Sequence, residues 1–194
     1  MKKLSPEDLL PLERYAKERP AMRARVLEHK RDRQLPVGPH ATWLFEDRMT
    51  VQYQVQEMLR TERIFEADGI ADELSAYNPL IPDGRNWKVT LLIEFPDVEQ
   101  RQRELAKLKG VEQRCWVQIG RREQVLAIAD EDLDRENDEK TSAVHFLRFE
   151  LTPEMIAELR SGAALGIGID HEHYRHAVPE VREATRKSLL ADLA

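Results

Sequence analysis

The residues best equipped for chemistry in this sequence are two glutamates and a group of histidines. Glu62 and Glu66 stand four apart in an apolar-periodic run. At about 100° per residue, Val51, Val55, Met58, Leu59 and Phe65 form one stripe, with Glu62 at its centre and Glu66 at its edge. A carboxylate aimed into a core needs a cation or a metal beside it. Two readings follow: a buried ion pair with one of the many arginines, or a metal ligand or general base, since i,i+4 carboxylates share a face.

The second group is Asp170-His171-Glu172-His173-Tyr174-Arg175-His176, which holds three of the six histidines. Imidazole is the commonest transition-metal ligand. His171 continues the inward alternation of Leu165, Ile167 and Ile169, and His176 closes the cluster. No His-Glu-x-x-His spacing is present, and short histidine-rich tracts also serve as solvated surface. On the opposite face Ala164, Gly166 and Gly168 leave room for a helix or ligand to approach closely. His145 shares a face with Leu147, Phe149 and Leu151, which reads as a satisfied core histidine or a general base. A metal-dependent enzyme would therefore use Glu62, Glu66, His171 and His176 as ligands, with His145 and Glu62 as catalytic groups. Tyr174 or Arg48 would contact substrate. Carboxylate and imidazole donors suit iron, manganese or zinc.

Other templates fail on spacing. Asp130-Glu-Asp-Leu-Asp begins like a calcium loop, but Arg135 and Thr141 stand where an EF-hand needs glycine and glutamate. Gly166-Ile-Gly168 lacks the third glycine of a dinucleotide loop, and there is no phosphate loop or nucleophile elbow. The single cysteine, Cys115, alternates with Val117 and Ile119 as a core residue and excludes an internal disulfide.

The elements that must position these residues are legible from period and punctuation. Ser5-Pro6-Glu7-Asp8 predicts a helix start, and Pro11 and Pro20 predict helices near 6–18 and 21–33. From Arg14 to Arg33 eight Lys and Arg face three acids. A helix is predicted over 49–68, stopped by Gly69. Strands are predicted at 88–95, 114–120, 124–129, 143–151 and 163–170, and helices at 98–109, 152–160 and 179–193. The sum is an α+β fold: an N-terminal helical segment, 1–40, then one α+β domain, 41–194, with a mostly antiparallel sheet of about five strands and packed helices.

The 194 residues include 30 Lys and Arg against 36 Asp and Glu, for a net charge of −6. That balance argues against a dedicated nucleic-acid binder, leaving RNA association through helix 21–33 as a minor alternative. No apolar run approaches roughly 18 residues, so no membrane span is expected. The first residues lack an apolar stretch of the signal-peptide kind, so a cytoplasmic protein is expected. A homo-oligomer is compatible with all of this.

Five segments together resemble a bacterial domain-of-unknown-function family, the one numbered 3501. They are Phe45 to Glu66, Tyr77-Asn-Pro-Leu-Ile-Pro-Asp-Gly84, Asn86-Trp-Lys88, Asp130-Glu-Asp-Leu133 and Lys140 to Glu150. Glu172 stands where that family commonly places proline. The resemblance assigns no catalytic residue. It implies a setting: an accessory protein of a peroxide or oxygen-stress redox module, acting beside rubrerythrin-like and iron–sulfur proteins.

Overall fold

The computed structural model describes residues 2–131, 135 and 139–194. Ser5 opens a single 3-10 turn, Pro6–Asp8, closed by a reciprocal cap in which the Ser5 amide donates to Asp8 (2.9 Å). The first α-helix is α1 (Leu12–Lys30), which runs unbroken through Pro20 where two helices were predicted. Pro20 and Ala16 are both exposed, so the Ala16 carbonyl that loses its i+4 partner can meet water.

Two short strands follow, β1 (Gln34–Pro36) and β2 (Ala41–Glu46). Asp47 then caps α2 (Arg48–Glu62), accepting from the amides of Met49 and Thr50 at 2.9 Å each. The helix predicted over 49–68 is in fact two. Arg63 turns left-handed (φ 57°), the Ile64 amide reaches back to the Leu59 carbonyl (2.9 Å), and α3 (Ala67–Tyr77) starts anew. Gly69, expected as the terminator, lies inside α3, where a Cβ would come within 2.7 Å of Ile64.

The remaining elements are β3 (Asn86–Ile93), α4 (Val98–Lys107), β4 (Cys115–Ile119), β5 (Val125–Leu126), β6 (Ile128–Ala129) and β7 (Val144–Glu150). After them come α5 (Pro153–Arg160), β8 (Leu165–His171), β9 (Tyr174–Val178) and α6 (Glu183–Leu190). The strands form two antiparallel sheets, ordered β1-β2-β3-β7-β6 and β5-β4-β8-β9. The α+β class holds, but the strands expected in one sheet divide between two. The chain crosses from one to the other at Ala127, whose amide donates to the Cys115 carbonyl (2.9 Å).

Inward residues of both sheets, among them Trp43, Phe45, Val89, Phe149, Val117, Ile119, Leu165 and Ile167, belong to one contiguous core with α4, α5 and α6. The Tyr174 hydroxyl joins the sheets, donating to the Val37 carbonyl (2.8 Å) and accepting from the His40 amide (2.9 Å). Val51, Val55 and Leu59 of α2 and Leu74 of α3 form a second, smaller core with Leu4 and Ile81. This helical layer meets the outer face of the five-stranded sheet. There buried Glu46 accepts from Thr50 of α2 and from Thr90 of β3 (2.7 Å). Both faces of β3 and β7 are thus covered, and that positions the site. No helix among the described residues is long and apolar enough to cross a membrane.

Candidate functional site

Alternation along β3 and β7 turns Lys88, Thr90, Phe146 and Arg148 away from the main core. Lys88 and Arg148 are direct antiparallel partners, as are Thr90 and Phe146. Above them the helical layer does not close fully, and a cavity of about 350 Å³ remains. That volume is within the range of small-molecule sites. The roof comes from Met58 of α2, from Glu73, Ala76 and Tyr77 at i, i+3 and i+4 on α3, and from the Pro79-Leu80 turn. Glu131 and Arg135 wall one side.

The polar groups are unequal in their partners. Arg148 forks onto Glu131 with bonds of 2.7 and 2.6 Å and also pairs with Glu150, so its charge is met twice. The Arg135 guanidinium stacks over the Phe146 ring at 4.6 Å. The Lys88 amine, by contrast, makes no hydrogen bond or ion pair among the described residues. Burial, with the Arg148 cation adding to it and the Glu131 and Glu150 carboxylates partly opposing it, lowers its ammonium pKa. Glu73 has a carboxylate oxygen, Oε2, that is inaccessible to solvent and has no partner among the described residues. Burial raises its pKa, with the charges of Glu62 and Asp72 adding to the effect. An amine biased toward neutrality and an acid biased toward protonation therefore line one half-apolar chamber.

The residues expected to carry chemistry fare differently. Glu62 is the last residue of α2 and Glu66 the residue before α3; both are exposed. The left-handed turn at Arg63 rotates the predicted stripe apart and leaves even Phe65 70% exposed, so neither Glu62 nor Glu66 is a buried carboxylate. The histidine cluster is a hairpin, β8 to β9, in which Asp170 pairs with Arg175 and Ile169 with His176. His171 is buried, with Nε2 against the Lys109 carbonyl (3.0 Å) and Nδ1 accepting from the His173 amide (3.2 Å). The His176 ring packs edge-on to Tyr174 at 4.6 Å. His145 is fully buried between Asp130 (2.6 Å) and Thr141 (3.1 Å), with Glu112 at 3.9 Å. Among the described residues no three His, Cys, Asp or Glu side chains are arranged to hold a metal ion. Glu62, Glu66, His171 and His176 are therefore not brought together.

The room left by Gly166 and Gly168 is used by the protein itself. A Cβ on Gly168 would meet the Trp116 ring at 2.4 Å, and one on Gly166 the Pro179 carbonyl at 2.9 Å. Arg48 pairs with Asp8 (2.6 Å). Most of the acidic run, residues 132–134 and 136–138, lies outside the described residues. Cys115 is a core thiol bonded to the Val111 carbonyl, and its burial raises its pKa.

Sequence reasoning missed Lys88, Glu73 and Arg148 as site residues. A signal for them was present: each of the five segments carrying the family resemblance contributes to the cavity wall, through Met58, Tyr77, Lys88, Glu131 and Phe146 among others. A family model described as "Protein of unknown function (DUF3501)" matches residues 3–193. A solved structure, described as a novel protein of unknown function from Burkholderia pseudomallei K96243, is 49% identical over 100% of both chains, with a TM-score of 0.95. No curated protein matches the sequence.

Proposed function

The chain thus belongs to the DUF3501 family, and from its geometry we propose that it is a small-molecule-binding protein whose ligand is compact, part apolar and anionic. The observation that carries this reading is the Lys88 ammonium, unpaired among the described residues, in a cavity of about 350 Å³ whose other cations are engaged, Arg148 with Glu131 and Glu150 and Arg135 with Asp130 and the Phe146 ring. A half-buried cation with no directly paired carboxylate among the described residues carries a desolvation cost, and a ligand anion offsets it. Met58, Tyr77, Leu80 and Phe146 supply apolar walls for the ligand body. We further propose that ligand binding serves an accessory role in the cytoplasm, within a peroxide or oxygen-stress module beside rubrerythrin-like and iron–sulfur proteins. That setting rests on the family resemblance alone.

Thermal unfolding with a panel of short aliphatic and aromatic carboxylates tests the binding. A ligand at about 100 times its Kd stabilises by about 2.7 kcal/mol, which raises Tm by several degrees in a chain of this size. The rise is expected for the natural chain and absent in Lys88→Met. Equal shifts in both proteins would remove Lys88 from the reading, and no shift with any member of the panel would end it. The accessory role predicts that peroxide turnover by a rubrerythrin-like partner changes when the ligand-loaded protein is added; unchanged turnover would dispose of it.

A further inference from the structure

Lys88 differs from an ordinary ion-pairing lysine in three ways that bear on reactivity. Its amine has no partner among the described residues, it is half-buried against apolar walls, and a guanidinium sits at the paired position on the next strand. A lysine desolvated beside another cation is the arrangement that frees an amine for attack on carbonyl carbon. The same cavity is lined by an acid, Glu73, whose pKa burial raises. A simple anion receptor gains nothing from a carboxyl group at that place, whereas a dehydrating condensation needs a proton donor there.

We propose that the ligand is a carbonyl compound bearing an anionic group, such as a 2-oxo acid or a carboxylated aldehyde, and that Lys88 binds it covalently as an imine. This rests on the ligand-binding reading above and names its substrate class. The neutral amine of Lys88 adds its lone pair to the carbonyl carbon, forming a C–N bond. A proton passes from nitrogen to oxygen, giving the carbinolamine. Glu73 then protonates the hydroxyl, the C–O bond breaks, water leaves, and the nitrogen lone pair forms the C=N bond. The amine, carbonyl and carboxylic acid become a protonated imine, a carboxylate and one water. No oxidant or reductant enters. The products are a cationic iminium on Lys88 and a carboxylate on Glu73, two residues that line the same cavity.

The experiment is borohydride trapping on the full chain, read by intact mass and peptide mapping, with pyruvate, glyoxylate and 4-carboxybenzaldehyde as probes. Thermal shifts with the same probes are measured in parallel without reductant. One reduced adduct at Lys88 is expected, formed ahead of any at surface lysines near neutral pH, because a lowered amine pKa leaves more of the free base that attacks. Lys88→Arg, which keeps the positive charge, should retain the thermal shift and lose the adduct. Glu73→Gln should slow adduct formation while leaving probe binding within a few-fold. Binding with no adduct at Lys88, or adducts spread evenly over surface lysines, would overturn the imine and leave the binding reading intact. Absence of both the thermal shift and the adduct with every probe would overturn the two together.

Discussion

At the residue scale, the polar side chains of this protein fall into those whose needs are met and those whose needs are not. His145 and His171 are buried with each ring nitrogen occupied by a partner from the chain itself. Glu57 is also met: Arg19 forks onto it with bonds of 2.7 Å each, and the Tyr15 hydroxyl donates at 2.6 Å, tying α1 to α2. These bonds, Arg19 first, hold the Glu57 carboxyl at about 2, below its ordinary 4.5. A carboxylate depressed in the folded state adds stability that is full above its unfolded pKa and is lost as pH falls through the folded one. The α1 attachment should therefore weaken between pH 4.5 and about 2. Both partners are partly solvated, so the contribution is on the order of 1 kcal/mol. Thermal unfolding across that window should show Glu57→Gln losing less stability on acidification than the natural chain. Parallel curves would refute the assignment. Lys88 and Glu73 are the converse case, and the proposed chemistry rests on them because no partner among the described residues satisfies the Lys88 amine or the Glu73 Oε2 atom.

At the element scale, the junction of α2 and α3 shows why Glu62 reads from sequence as a core-facing residue and yet lies at the surface. Periodicity across 49–68 is continuous, and nothing in Arg63 announces a left-handed residue. The turn is made by the Schellman-like bond from Ile64 to Leu59 and by Ile64 packing on the small core, both contacts that a one-dimensional pattern cannot display. Once the helix breaks, Glu62 and Glu66 swing to the surface. If Arg63 holds strain there, Arg63→Gly should stabilise the protein by about 1 kcal/mol, since a non-glycine residue pays roughly 1–2 kcal/mol in that region, less the added entropy of glycine when unfolded. Chemical denaturation measures this directly, and destabilisation would mean the Arg63 side chain matters more than its backbone. Other elements were legible for good physical reasons. Strict two-residue alternation located β3, β7 and β8, and Thr152-Pro153 located α5. Strand β9 was not legible because Tyr174–Val178 is an edge strand of mostly exposed residues, with no alternation to read. The cavity was hidden by the same logic. Lys88 and Arg148 alternate with core residues as a solvated face would, but α2 and α3 cover that face.

At the scale of the whole molecule, one buried arginine holds together parts that are far apart in sequence. Arg33 is 1% exposed and donates to the carbonyls of Phe45 (2.9 Å) and Glu46 (3.2 Å) on β2 and to Ser188 on α6 (3.2 Å). It pairs with Asp192 and lies 3.5 Å from Asp47, which caps α2 and contacts His29 of α1. The end of α1, the β1–β2 unit, the start of α2 and the C-terminal segment therefore meet at one guanidinium. The Trp87 indole, which donates to the Leu189 carbonyl (3.0 Å), anchors α6 from the β3 side. Since Lys88 is the next residue on β3, the C-terminal helix also fixes the strand that carries the proposed nucleophile. Breaking such a knot from one side leaves a buried anion unpaired, so Arg33→Met should cost about 3–5 kcal/mol. Adding Asp192→Leu removes the stranded carboxylate and should recover part of that loss, with a coupling of about 0.5–3 kcal/mol between the two sites. Denaturant unfolding of the four proteins in the cycle measures it. Strict additivity would mean that Arg33 acts through its backbone carbonyl bonds rather than through the ion pair. If the coupling is found, probe binding at Lys88 should weaken in Arg33→Met and return toward the natural value in the double variant, because the same anchor sets the position of β3.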